Sequence, residues 1–141
     1  HLPHGMSYPV AGMVRDYQPE GYPSDHPMVP HGFSVILNAP AVFRFIAPSS
    51  PQRHLQAAEA LGCDISKAKP EDAGEILADR ILEFMRTLKV PNGLGEVGYT
   101  SDDIPALVEG TLPQHRVTKL SPRPAERDDL SGIFQDALRY W

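Results

Sequence analysis

At 141 residues with 41% hydrophobic side chains, the chain can bury one packed core, which excludes global disorder. Acidic residues outnumber basic ones 18 to 13, a net charge of −5 with no basic stripe, and this argues against a nucleic-acid partner or a charged membrane surface. A single cysteine, Cys63, excludes an internal disulfide framework and points to a reducing compartment.

The chain opens on HLPHGMSYP, which reads as the inside of an element, so a fragment lacking an N-terminal part is expected. Residues 1–14 predict a helix, loosened by Gly5, Pro9 and Gly12. Residues 15–30 carry four prolines and no helical or strand period, which predicts a loop. From His31 to Ile46 the sequence is apolar on nearly every side, a helix for the middle of a bundle, bent by Pro40. Even so, no apolar run approaches the ~18 residues of a membrane span. Ser50, Pro51 and Gly62 bracket a short helix, with His54 on its polar, solvated side. Cys63 follows as a small buried residue with no adjacent base. The strongest element comes next: Ala73, Ile76, Leu77, Ile81, Met85 and Leu88 follow the three–four spacing, with acids in the first turn and Arg86 and Lys89 at the end. Ser101 is expected to cap a helical stretch through Leu107. A last helix would place Leu130, Ile133, Phe134, Ala137, Leu138 and Trp141 on one stripe and end the natural chain. No alternating strand is visible, so the expected fold class is all-α, a helical bundle.

The six histidines carry the chemistry. In a helical first segment His1, His4 and Tyr8 share one face, and His31 opens the central helix. Two imidazoles suit iron, zinc, copper or nickel, but two ligands alone make an incomplete site. His4 and His31 do not form a short metal motif, so capping or packing is the competing explanation. His26 should bond Asp25 or backbone, and His115 should be a solvated loop residue. Gly93, Gly95 and Gly98 mimic a nucleotide loop, yet no strand precedes them and a turn is the better reading. The acid pairs Asp102–Asp103 and Asp128–Asp129 fall in helix first turns, where the macrodipole accounts for them.

At HGMSYPVAG and VPHGFSVIL the chain resembles the C-terminal helical domain of the iron-containing (group III) alcohol dehydrogenases, with their dehydroquinate synthase-like fold. The long loop with DHPMVPHG, together with RHLQAAEALG, DAGEILAD and VGYTSDDIPALVEGTLPQHRVTKLSP, is similar to the hydroxyacid–oxoacid transhydrogenase branch. The resemblance covers nearly all of residues 1–141. It implies that His4 and His31 are two of four ligands to divalent iron, for which zinc can substitute. It places the other two ligands, and the α/β domain that binds NAD(H), upstream of His1. Many relatives carry a second histidine four residues after the first ligand; here that position is Tyr8, a candidate substrate contact. The implied reaction passes hydride from a hydroxy acid such as 4-hydroxybutyrate, through bound nicotinamide, to 2-oxoglutarate. Both substrates are anionic, and Arg15 is a candidate cation for their carboxylates, with a solvated arginine as the alternative. An ordinary NAD-dependent alcohol dehydrogenase and a non-catalytic helical interaction module are the rivals. Small hydroxy and oxo acids and the missing domain are the implied partners, without nucleic acid or membrane. A homo-oligomer is compatible, in cytoplasm or mitochondrial matrix.

Overall fold

Proline marks the helix starts. Pro3, Pro40, Pro51 and Pro105 each stand in the first turn of a helix, where a missing N–H leaves no intrahelical bond unmade. The structure, a computed structural model, describes residues 1–23 and 25–141; Ser24, in the expected 15–30 loop, lies outside the described residues. Its helices are α1 (Leu2–Gly12), α2 (His31–Ile36), α3 (Ala39–Ile46), α4 (Pro51–Ala60), α5 (Ala73–Thr87), α6 (Ile104–Thr111), α7 (His115–Thr118) and α8 (Arg127–Ala137). No strand occurs among the described residues, as the all-α expectation requires.

Helix α1 packs against α2, α6 and α7, α3 against α5 and α8, and α4 against α5. Leu2, Met6 and Val10 of α1 meet Leu37 and Val42, Leu82 and Met85, Leu107 and Val108, and Leu130, Ile133 and Phe134 in one core. The central segment is two helices rather than one bent rod. Pro40 has no N–H for the Ile36 carbonyl, so the ladder breaks over Leu37–Asn38 while both residues keep right-handed helical backbone. Tyr140 donates its hydroxyl to the Leu37 carbonyl at 2.8 Å, holding the C-terminal segment against this break. By length and mean hydropathy His31–Ser49 does qualify as a membrane span, correcting the expectation that no run is that long. Here 44% of that stretch is buried inside the bundle, and Arg44 within it pairs with Glu75 at 2.8 Å.

Several local expectations shift. The buried stripe of α5 is Ala73, Gly74, Leu77, Ala78, Leu82 and Met85; Ile76 and Ile81 are half-buried and Leu88 is 73% exposed. The cap before α6 is Thr100 rather than Ser101, because the Asp103 carboxylate accepts the Thr100 N–H at 2.8 Å in a capping box. Trp141 lies beyond the end of α8 and is exposed, under the Arg86 guanidinium. His54 is buried: its Nδ1 lies 3.0 Å from the Ser50 carbonyl and its ring meets the edge of Phe43. Cys63 is half-buried rather than buried.

The glycine-rich turn at 93–98 serves the end of α8. A Cβ on Gly93, which has φ +76°, would lie 2.6 Å from the carbonyls of Ala137 and Leu138, and the Gly95 N–H donates to Leu138 O at 2.9 Å. Beside it the buried Asn92 side-chain oxygen accepts the N–H groups of Tyr140 and Trp141. It is a latch, not a phosphate cradle.

Candidate metal centre

Helical spacing decides what faces outward on α1. Leu2, Met6 and Val10 are buried, so His1, His4 and Tyr8, on the opposite face, are exposed. His31 is the first residue of α2, also exposed, and α2 packs directly on α1. The rings of His4 and His31 thereby meet edge to face, with centroids 5.3 Å apart and planes at 62°. Two imidazole nitrogens about 2.0–2.1 Å from one ion at a tetrahedral angle put their ring centres roughly 5 Å apart, which is close to the separation of this pair. Among the described residues no three His, Cys, Asp or Glu side chains converge, so further donors would have to come from elsewhere.

Both histidines stand on the same local device. The Ser7 hydroxyl donates to the His4 carbonyl at 2.8 Å, and the Ser34 hydroxyl donates to the His31 carbonyl at 2.9 Å. Each serine is buried, so each imidazole projects from a turn anchored from below. The sequence carries this device as a repeated His-Gly-x-Ser, HGMS and HGFS, although the spacing alone does not show that each serine bonds back to its histidine's carbonyl.

Tyr8 sits one turn beyond His4 and is 39% exposed. Arg116, on α7, donates a guanidinium N–H to its hydroxyl oxygen and lies 5.3 Å from its ring centroid. No local sequence pattern marks this arginine, because 108 positions separate it from Tyr8. Gly5 makes the approach feasible: a Cβ there would meet Thr118 Cγ2 at 2.6 Å, so α7 can lie against α1 only with a bare backbone at this turn.

Arg15, the candidate cation for a substrate carboxylate, is ion-paired within the chain. Its guanidinium grips the Asp103 carboxylate at 2.7 and 3.0 Å and donates to the Gly98 carbonyl at 2.8 Å, which ties the loop after α1 to the start of α6. The hydrogen bond from Arg15, seconded by the Thr100 N–H, holds the Asp103 carboxyl well below the usual carboxylate range. Next to it the Tyr99 hydroxyl donates to Val10 O at 2.7 Å, and burial pushes that phenol up to about 12. His26 lies 2.8 Å from Asp25, and His115 is exposed at the start of α7.

Known proteins share this arrangement of sequence. A family model described as the Fe-containing alcohol dehydrogenase family, C-terminal, matches residues 25–138. The chain is 56% identical over 141 residues to a mitochondrial hydroxyacid-oxoacid transhydrogenase of Xenopus tropicalis, covering 100% of this chain and 30% of that protein. It is 55% identical over 139 residues to a probable mitochondrial hydroxyacid-oxoacid transhydrogenase of Dictyostelium discoideum, covering 98% of this chain and 25% of the relative. Among solved structures, a 1,3-propanediol oxidoreductase superposes with a TM-score of 0.80 at 22% identity, over 96% of this chain and 32% of that one. An alcohol dehydrogenase from Oenococcus oeni does so with a TM-score of 0.81 at 20% identity, over 96% and 32%. These two likenesses show a common fold. The chain thus spans about 30% of the length of the Xenopus relative. On the family match and these identities, the chain belongs to the iron-containing alcohol dehydrogenase family, in its C-terminal helical part.

Proposed function

We propose that residues 1–141 form the metal-binding helical domain of a hydroxyacid–oxoacid transhydrogenase, with His4 and His31 as two ligands to divalent iron, or to zinc in its place. The facing pair of exposed imidazoles carries this reading: in a packing-only role they would more naturally be covered, as His54 is. The names of the relatives support the branch, and their mitochondrial designation supports the matrix over the cytoplasm. The remaining ligands and the NAD(H)-binding fold belong to the part of the protein upstream of His1. When bound, the cation supplies Lewis acidity toward a substrate hydroxyl and the nicotinamide accepts and returns hydride. This chain's own residues orient and select. Ser7 and Ser34 hold the turns that present the imidazoles. Tyr8, whose oxygen already accepts from Arg116, keeps its own proton to donate to a substrate oxygen.

The test uses the full-length protein. It should interconvert 4-hydroxybutyrate and 2-oxoglutarate with succinate semialdehyde and 2-hydroxyglutarate without added nucleotide; strict dependence on free NAD would favour an ordinary alcohol dehydrogenase. Calorimetric titration with Fe²⁺ under anaerobic conditions should lose its high-affinity phase in both His4→Ala and His31→Ala. High-affinity binding that survives the double replacement would instead favour a non-catalytic helical module.

A further inference from the structure

Hydroxy and oxo acids present a carboxylate at one end, and a buried or half-buried site that takes them must offer a cation there. The fate of the arginines narrows the choice. Arg15 is committed to Asp103, Arg44 to Glu75, Arg80 to Glu83 and Arg127 to Glu109. Arg53, Arg86, Arg116, Arg123 and Arg139 form no side-chain carboxylate pair among the described residues, and of these it is Arg116 that donates to the hydroxyl of Tyr8, one turn from His4. A guanidinium has five N–H donors in a planar fork, so one bond to a phenol oxygen leaves the fork able to grip a carboxylate with two parallel bonds.

We infer, resting on the transhydrogenase reading, that Arg116 binds the substrate carboxylate and so selects hydroxy and oxo acids over uncharged alcohols. Its placement is fixed from two sides. Gly5, directly after the candidate ligand His4, admits Thr118 of α7 to the face of α1. The Tyr8 ring then lies under the guanidinium at 5.3 Å. One helical turn, about 5–6 Å between side-chain origins, separates His4 from Tyr8. That interval is comparable to a short carbon chain with its hydroxyl at the histidines and its carboxylate beyond the tyrosine. The glycine of the first His–Gly is therefore part of the specificity device, since it sets how near α7 brings the cation.

Arg116→Ala and the near-isosteric Arg116→Gln in the full-length protein test this, with 4-hydroxybutyrate and butan-1-ol as paired substrates. Truncating one partner of a hydrogen-bonded charge pair weakens binding by about 100-fold, and the rise should appear in KM for the acid, with kcat changed far less. kcat/KM for the acid should fall much further than for the alcohol, and Arg116→Lys should recover part of the loss. Equal losses on both substrates would mean that Arg116 acts only by holding Tyr8 or α7, and an unchanged KM for the acid would overturn the assignment outright. Calorimetric titration with glutarate, an unreactive dicarboxylate, gives a readout independent of turnover. If the wild-type protein turns over no hydroxy acid, the transhydrogenase reading fails. The glutarate titration then still decides Arg116: affinity lost in Arg116→Ala sustains the cation site, and affinity retained ends it.

Discussion

Gly5 shows how much a single missing side chain can govern. A methyl group at this position would press on Thr118, whose β-branched side chain has little rotamer freedom to move aside. Gly5→Ala should therefore destabilise by about 1–3 kcal/mol, the usual penalty of overpacking. Gly12 provides the control, because a Cβ there meets nothing within 4 Å, and Gly12→Ala should be neutral or slightly stabilising. Urea denaturation of the two variants measures the contrast. At this same scale the sequence was readable where the interaction was local. His1, His4 and Tyr8 do share one exposed face, and Asp25 does lie beside His26. The burial of His54 was not readable, because its polar helical neighbours conceal Phe43, which arrives from a different helix.

For α5 the three–four period located the helix but left the facing stripe one residue adrift at its C-terminal half. Leu82 is 5% exposed and Leu88 is 73% exposed. The helix ends at Thr87, and the chain turns away through Lys89 at φ +55°, which lifts Leu88 off the core. Leu82→Ala should cost about 2–5 kcal/mol. Leu88→Ala should change stability by less than about 0.5 kcal/mol, as surface substitutions do. Equal effects from the two would contradict the packing of α5. A comparable lesson applies to α2 and α3: proline's missing N–H was legible and the break it produces followed, whereas the Tyr140 hydroxyl that stabilises the break arrives from 103 positions away.

Across the whole molecule, the Arg15–Asp103 clamp joins the chain after α1 to the entry of α6 and thereby steadies the helix that carries the candidate site. The sign of its pH dependence follows from the direction of the shift. Asp103 is more acidic folded than its reference value of 3.8, so its contribution is present above that value and lost as pH falls toward the folded one. Asp103→Asn should lower the thermal midpoint at pH 7, and the gap from the native chain should close as pH drops below 3.8. A gap independent of pH would show that the clamp owes nothing to charge.

By itself the sequence determined the all-α class, the approximate spans of α1, α4, α5, α6 and α8, and the two His–Gly segments, because helix propensity, proline placement and three–four periodicity act between residues within a turn or two of one another. Tertiary structure alone decided that the two imidazoles meet, that Arg15 is spent on Asp103, and that Arg116 comes to rest beside Tyr8. These partners lie 27, 88 and 108 positions apart, and no local pattern encodes which distant side chain a packed helix will bring near.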